Sequence, residues 1–339
     1  MQVEPDARSA REDERGVLRL VRAGLSRVLP RAVLPPDHEI AYPGYHAAAH
    51  RAQRVARTGT PSPEQLDLLY AELRAVDARA RASAARRTRG GGWPVDLPPA
   101  EGHLTESLDR ARACVPQRPE RSADLAALTV APWGLRHRLV FDEAVGVLGR
   151  VWPRMLAEVS TVVRQVALLD GWGIDGFTDF TVHGVVFVNS ARVTTPDGPP
   201  DGGHGGDGGA LPAPLPLVEA LVHEGTHNRC DAAAVTGPFL ADTPTQLLRT
   251  PLRPDPRPLT GLFQQVVVLA RSVLLYERLL AAPDGTVDGA RAEVEARRDL
   301  LLAQGLDGCT TLDGQRGALA DHGRSVAAQA RHVLEWAAR

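Results

Sequence analysis

Residues 215–230 read LPLVEALVHEGTHNRC, an apolar stretch that carries two histidines four positions apart, with a glutamate directly after the first. Leu217, Val218, Leu221 and Val222 predict a buried helix from about residue 216 to 229, and Pro216 suits its first turn. Imidazoles carried into an apolar interior cost free energy unless they find partners. The fold must therefore build a polar site against this helix.

On a helix, His223 and His227 lie one turn apart on the same face and can direct two ring nitrogens at one ion. Glu224 stands about 100° round the axis, within reach of a metal-bound water. Neutral imidazole suits zinc, iron, nickel and copper alike, so two histidines do not choose the metal. The bland alternative is a pair of core histidines satisfied by hydrogen bonds. A third ligand would decide between these readings. The extended zinc-protease pattern is absent, because Ala233 stands six residues after His227. A zinc peptidase would instead need a carboxylate from a later helix, for which Glu277, Glu293 and Glu295 are available. His183 and His204 are further options.

The rest of the chain reads as mainly α with a small β element, an α+β class. Residues 1–15 are expected to be a flexible N-terminus. A helical half runs over 16–170, with helices at 16–29 and 63–88 and a pair over 142–169 broken at Pro153. The site-bearing half covers 171–339, the two halves forming one integrated domain. Within it, 177–190 reads as a strand or short hairpin. The Gly- and Pro-laden segment 194–214 reads as a disordered loop, and 250–261 as a stiff extended piece. Helices are expected at 262–281, 288–304 and 314–338.

Composition limits the chemistry. All 39 basic residues are arginine, which excludes Schiff-base and P-loop mechanisms that need lysine. A net charge of −2 offers no field for nucleic acid or a membrane surface. The three cysteines are far apart and odd in number, which argues against a disulfide framework and suits a reducing compartment. The polar first residues do not read as a signal peptide, and no stretch reads as a membrane span. The expectation is a cytoplasmic protein.

Two segments in order, LVEALVHEGTHNR and TPLRPDPRPLTGLFQQVVVLAR, resemble the HExxH-type peptide β-hydroxylases of gene clusters for ribosomally made, modified peptides. Similarity is clearest over about residues 180–280. The resemblance implies an iron(II)- and 2-oxoglutarate-dependent enzyme that hydroxylates a β-carbon of a precursor peptide, alongside other peptide-modifying enzymes. It matches His223 and His227 to the metal histidines. It places a further histidine at the start of the next helix, where this chain has Gln264, a neutral and weaker donor. Such a departure is also compatible with a catalytically inactive, peptide-binding homologue. A 2-oxoglutarate enzyme needs an arginine for the distal carboxylate. Arg253 and Arg257 flank the proline-rich segment, and Arg271 follows Gln264 by seven residues, about 20° away on the same helical face. The competing zinc peptidase would use Glu224 as general base.

Overall fold

In the computed structural model, helix α1 (Ala7–Val28) begins nine residues before the expected start. Asp6 caps it, accepting from the amides of Arg8 and Ser9. The residues before it are tied down rather than flexible: Val3 is 1 % exposed and its amide donates to Gln329. Asp13 and Glu14 of this helix fall within the 1–15 stretch expected to be flexible. They are in fact buried and paired with Arg229 and His183. The structure describes the chain except residues 88–92, 116–118, 194–210, 243–244 and 284, and does not describe the side chains of 119–121 and 253–254. His204, and all of the 194–214 loop but its last four residues, lie outside the described residues.

After α1 come α2 (Asp37–Ile40), α3 (Pro43–Arg57), α4 (Pro63–Arg86), α5 (Gly102–Cys114), α6 (Pro119–Ala127) and strand β1 (Thr129–Ala131). Helices α7 (Leu135–Val151) and α8 (Pro153–Val162) meet at Pro153, as the sequence predicts. Strands β2 (Gln165–Asp170), β3 (Gly176–Phe177) and β4 (Val185–Asn189) follow, then α9 (Leu215–Thr236). The hairpin β5 (Leu248–Thr250) and β6 (Arg253–Arg257) leads into α10 (Leu259–Leu280), α11 (Arg291–Asp313) and α12 (Asp321–Ala337). The protein is mainly α with a small β element, as expected.

Strands β1 to β4 form one mixed sheet in the order β1-β2-β4-β3, with β2 and β4 parallel at its centre. Their side chains alternate between two cores, as the pleat requires. Val166, Leu168, Val186 and Val188 join the main core with Leu217, Val218, Leu221 and Val222 of α9. Ala167, Leu169, Val185 and Phe187 pack on the other face with Leu104 and Leu108 of α5. A third core joins α1, α3 and α4 around Leu25, Tyr45 and Leu73. Helix α1 spans both of the larger cores.

The segment expected as the end of a second helix, 165–169, is therefore strand β2. It is buried on both faces, so its sequence QVALL shows no alternation, and periodicity cannot separate a buried strand from a buried helix. Helix α10 corrects a second expectation. It is long and apolar enough to cross a membrane by length and composition, with a mean hydropathy of 1.4 in its most apolar window. Of that window 83 % is buried inside the fold, between α9, α11 and α12.

Candidate metal centre

Helix α9 is held in place along its whole length. Gly225, the middle residue of the HEGTH motif, lies against α8 so closely that a Cβ would stand 2.8 Å from a methyl of Val159. Asn228 ties the helix to the sheet: its Oδ1 accepts from the Gly184 amide at 3.0 Å and its Nδ2 donates to the Val185 carbonyl at 2.9 Å. Arg229 is buried and ion-paired with Asp13 of α1 at 2.6 Å.

One face of this helix carries polar residues at every fourth position: Glu219, His223, His227 and Asp231. Each step of four drifts about 40° round the axis, so the four form a slowly winding stripe. The His223 and His227 ring centroids are 5.2 Å apart. For comparison, two imidazoles on one tetrahedral ion, with metal–nitrogen bonds of about 2.0–2.1 Å, put their centroids about 5 Å apart. His223 is half-buried and has no hydrogen-bond partner among the described residues. Burial, with the charge of His227 adding to it, pushes its pKa down to about 3. It is therefore neutral, the form that ligates a metal.

His227 is oriented from α10. Its Nδ1 contacts Gln264 Oε1 at 2.7 Å, and Gln264 Nε2 donates to Asp231 Oδ1 at 2.9 Å. The carboxylate accepts only from the amide nitrogen, so it turns the amide oxygen toward the histidine. Burial raises the Asp231 pKa against the lowering effect of the Gln264 hydrogen bond. The Nε2 atom of His227 is left for an ion.

Glu219, one turn before His223, is buried and bound through Arg297 at 2.6 and 2.9 Å and through the Tyr276 hydroxyl. These donors overcome its desolvation and hold its pKa at about 2. The charges of Arg192 and Arg297 both reach His223. Arg297 is occupied by Glu219. Arg192 follows β4 in a 3-10 turn (Ser190–Arg192) and, among the described residues, has only long ion pairs, to Asp175 at 3.8 Å and Glu219 at 3.9 Å. Glu224 points the other way, buried against Gly176 of β3.

The arginines expected to anchor a co-substrate lie elsewhere. Arg271 is wholly buried, with Nη1 on Glu158 at 2.6 Å, Nε on the Val3 carbonyl and Nη2 on the Gln2 carbonyl. Its donors go to Glu158 of α8, to the N-terminal segment and, at 3.5 Å, to Thr226 of α9, and none goes to the stripe. Arg257 pairs with Asp255 of its own strand at 2.7 Å. The Arg253 side chain lies outside the described residues. Of the carboxylates weighed as a third ligand, Glu277 is bonded to Arg298 at 2.9 Å and Glu295 is paired with Arg291. His183 is bonded to Glu14 at 2.9 Å.

Among the described residues no three His, Cys, Asp or Glu side chains converge as a metal set. His204, weighed above as a further ligand, lies outside them. Gln264 Oε1 is the polar side-chain atom at hand. It lies on the Nδ1 side of the His227 ring at 2.7 Å, so it orients that ring and does not share an ion held by Nε2. Sequence reasoning missed Asp231, Glu219 and Arg192. The period of four would have revealed the first two. No protein-family model matches this chain, and no curated protein matches it.

Proposed function

We propose that the chain is an iron(II)- and 2-oxoglutarate-dependent hydroxylase of a ribosomally made precursor peptide. The observation that carries this reading is the bare, neutral His223 beside a His227 whose ring is set by the Gln264–Asp231 pair. Two neutral imidazoles on one face suit a non-haem iron with open positions. Bound iron(II) with 2-oxoglutarate and dioxygen would supply the oxidising chemistry.

The residues contribute orientation and charge. His223 and His227 offer lone pairs from rings that burial and hydrogen bonding hold fixed. Gln264 fixes the tautomer of His227, its carbonyl oxygen accepting at Nδ1 so that Nε2 keeps the lone pair. Arg192, charged and with only long ion pairs among the described residues, would receive a carboxylate from the co-substrate. This moves the anchor role from Arg271, whose donors are all engaged, to a residue at the end of β4. Glu224, turned toward the sheet, supports the helix position and is given no proton transfer here. The peptidase alternative loses support because Glu277 faces Arg298 on α11.

The test is metal content and 2-oxoglutarate binding after anaerobic purification, for wild type, His223→Ala, Gln264→Ala, Glu277→Ala and Arg192→Gln. Stoichiometric iron in wild type, lost in His223→Ala, together with co-substrate binding weakened in Arg192→Gln, is the expected result. Tight zinc that survives Gln264→Ala and is lost in Glu277→Ala would establish the peptidase instead. No metal uptake at all would leave a peptide-binding role.

A further inference from the structure

Helices α11 and α12, with the 3-10 turn between them (Arg316–Ala318), enclose a cleft of about 70 Å³, room for several waters. Its apolar lining includes Leu312 and Leu319, both buried. Cys309 lines it too, and burial pushes its thiol up to about 11, so it adds no charge. The charged lining is Arg316 of the turn, Arg324 and Arg331 of α12, and Asp313 at the end of α11. Among the described residues, three arginines therefore line this cleft against one aspartate.

Two of the arginines are held in place. They stand seven residues apart on α12, and so share one face of it. Arg331 binds Asp313 and donates to the Cys309 carbonyl at 3.1 Å, while Arg324 binds the Leu319 carbonyl and Asp321. Arg331 also lies 3.3 Å from Glu335. Asp321 and Glu335 stand outside the lining, and the Asp321 side chain is 97 % exposed. Water screens pairs of this kind, so an anion in the cleft competes with them readily. Arg316 is the cation left over. It is exposed, and its guanidinium forms no hydrogen bond or ion pair with any described residue. The turn that carries it is pinned: the Ala241 amide donates to the Ala318 carbonyl and the Ala320 amide to the Phe239 carbonyl, each at 2.9 Å.

We infer that this cleft binds a phosphate group, as the free ion or at the end of a small ester. Three positive charges against one negative leave an excess of two in the lining, which matches the charge of about −1.5 to −2 on a phosphate monoester at pH 7. The planar fork of arginine suits phosphate oxygens, and Arg316 has all of its side-chain donors to give. The apolar lining of Leu312, Leu319 and Ala327 suits the carbon side of an ester. This site is separate from the metal reading and stands or falls without it.

The test is calorimetric titration of the full chain with ethyl phosphate, inorganic phosphate and acetate. Wild type should bind ethyl phosphate at least tenfold more tightly than acetate. Arg316→Gln should lose at least tenfold for ethyl phosphate while melting like wild type, since that guanidinium has no partner to lose. Ala328→Glu, which adds a carboxylate at an exposed lining position of α12, should lose binding with its Tm unchanged. Asp321→Asn, which relieves Arg324 of a competing carboxylate, should bind at least as tightly as wild type. His223→Ala should bind as wild type does, separating this site from the stripe. Tighter binding of ethyl phosphate than of inorganic phosphate assigns the site to an ester, and equal binding assigns it to the free ion. Failure of wild type to bind either phosphate at millimolar concentration, acetate bound as tightly as ethyl phosphate, or equal binding by Arg316→Gln, would overturn the inference.

Discussion

Arg271→Met separates a structural arginine from a ligand-binding one. Arg271 is 0 % exposed and holds Glu158 at 2.6 Å, with the Gln2 and Val3 carbonyls on its other nitrogens. Glu158 would keep only Arg229, at 3.6 Å, and the Asp6 amide, at 2.7 Å. Removing one partner of a buried ion pair costs about 3–5 kcal/mol, because the other charge stays buried. The unfolding entropy at Tm is about 2.1 cal/mol/K per residue, or about 0.7 kcal/mol/K for 339 residues. The expected fall in Tm is then about 4–7 °C. Adding Glu158→Gln should recover part of that loss, since the uncompensated charge is gone. Calorimetry on the two single variants and the double variant gives the cycle. Binding of 2-oxoglutarate by the folded Arg271→Met protein should match wild type. An unchanged Tm together with lost 2-oxoglutarate binding would refute the reasoning and return Arg271 to the site.

Other consequences are equally open to measurement. Gly225→Ala should destabilise by about 1–3 kcal/mol through overpacking, since the added methyl meets Val159 of α8; a urea midpoint reads this directly. Gln264→Leu should weaken cobalt(II) binding about 10–100-fold by releasing the His227 ring, and an unchanged affinity would argue that Gln264 does not set that ring. His46 and His103 are buried with lowered pKa values, mainly through desolvation. Their folded-state pKa values lie below the unfolded one, so the stability they contribute is present above about pH 6.5 and is lost as pH falls. Each should cost up to about 1.4 kcal/mol per pH unit below that point, and denaturant midpoints at pH 7.5, 6 and 5 should decline accordingly, less so in His46→Gln.

Much of this architecture is legible residue by residue, and the gaps have physical causes. Helix α9 announces itself through Leu217, Val218, Leu221 and Val222, and the α7–α8 break through Pro153. Strand β2 hides because both of its faces are buried and its sequence loses the alternation that marks a strand. Asp13 and Glu14 look like surface charges until Arg229 and His183, more than 160 residues away, come to meet them. The site is legible where it is local. Glu219, His223, His227 and Asp231 share one helix and one period. The Gln264 contact, 37 residues off, was approached only through motif resemblance. Arg192 was invisible because nothing in a 3-10 turn after a strand signals which way its side chain will lie.

The attachments of α9 also bear on when the site can come into being. Arg229 reaches Ser9 across 220 positions, Arg271 reaches Val3 across 268, and His183 reaches Glu14 across 169. Such long closures are slow steps in folding and are made late. On the ribosome, α1 emerges with its inward-facing acids unpaired, and it waits until α9 and then α10 have been synthesised. The two histidines therefore acquire their geometry only after α10 has been synthesised, and under the proposed function a metal would load no earlier than that.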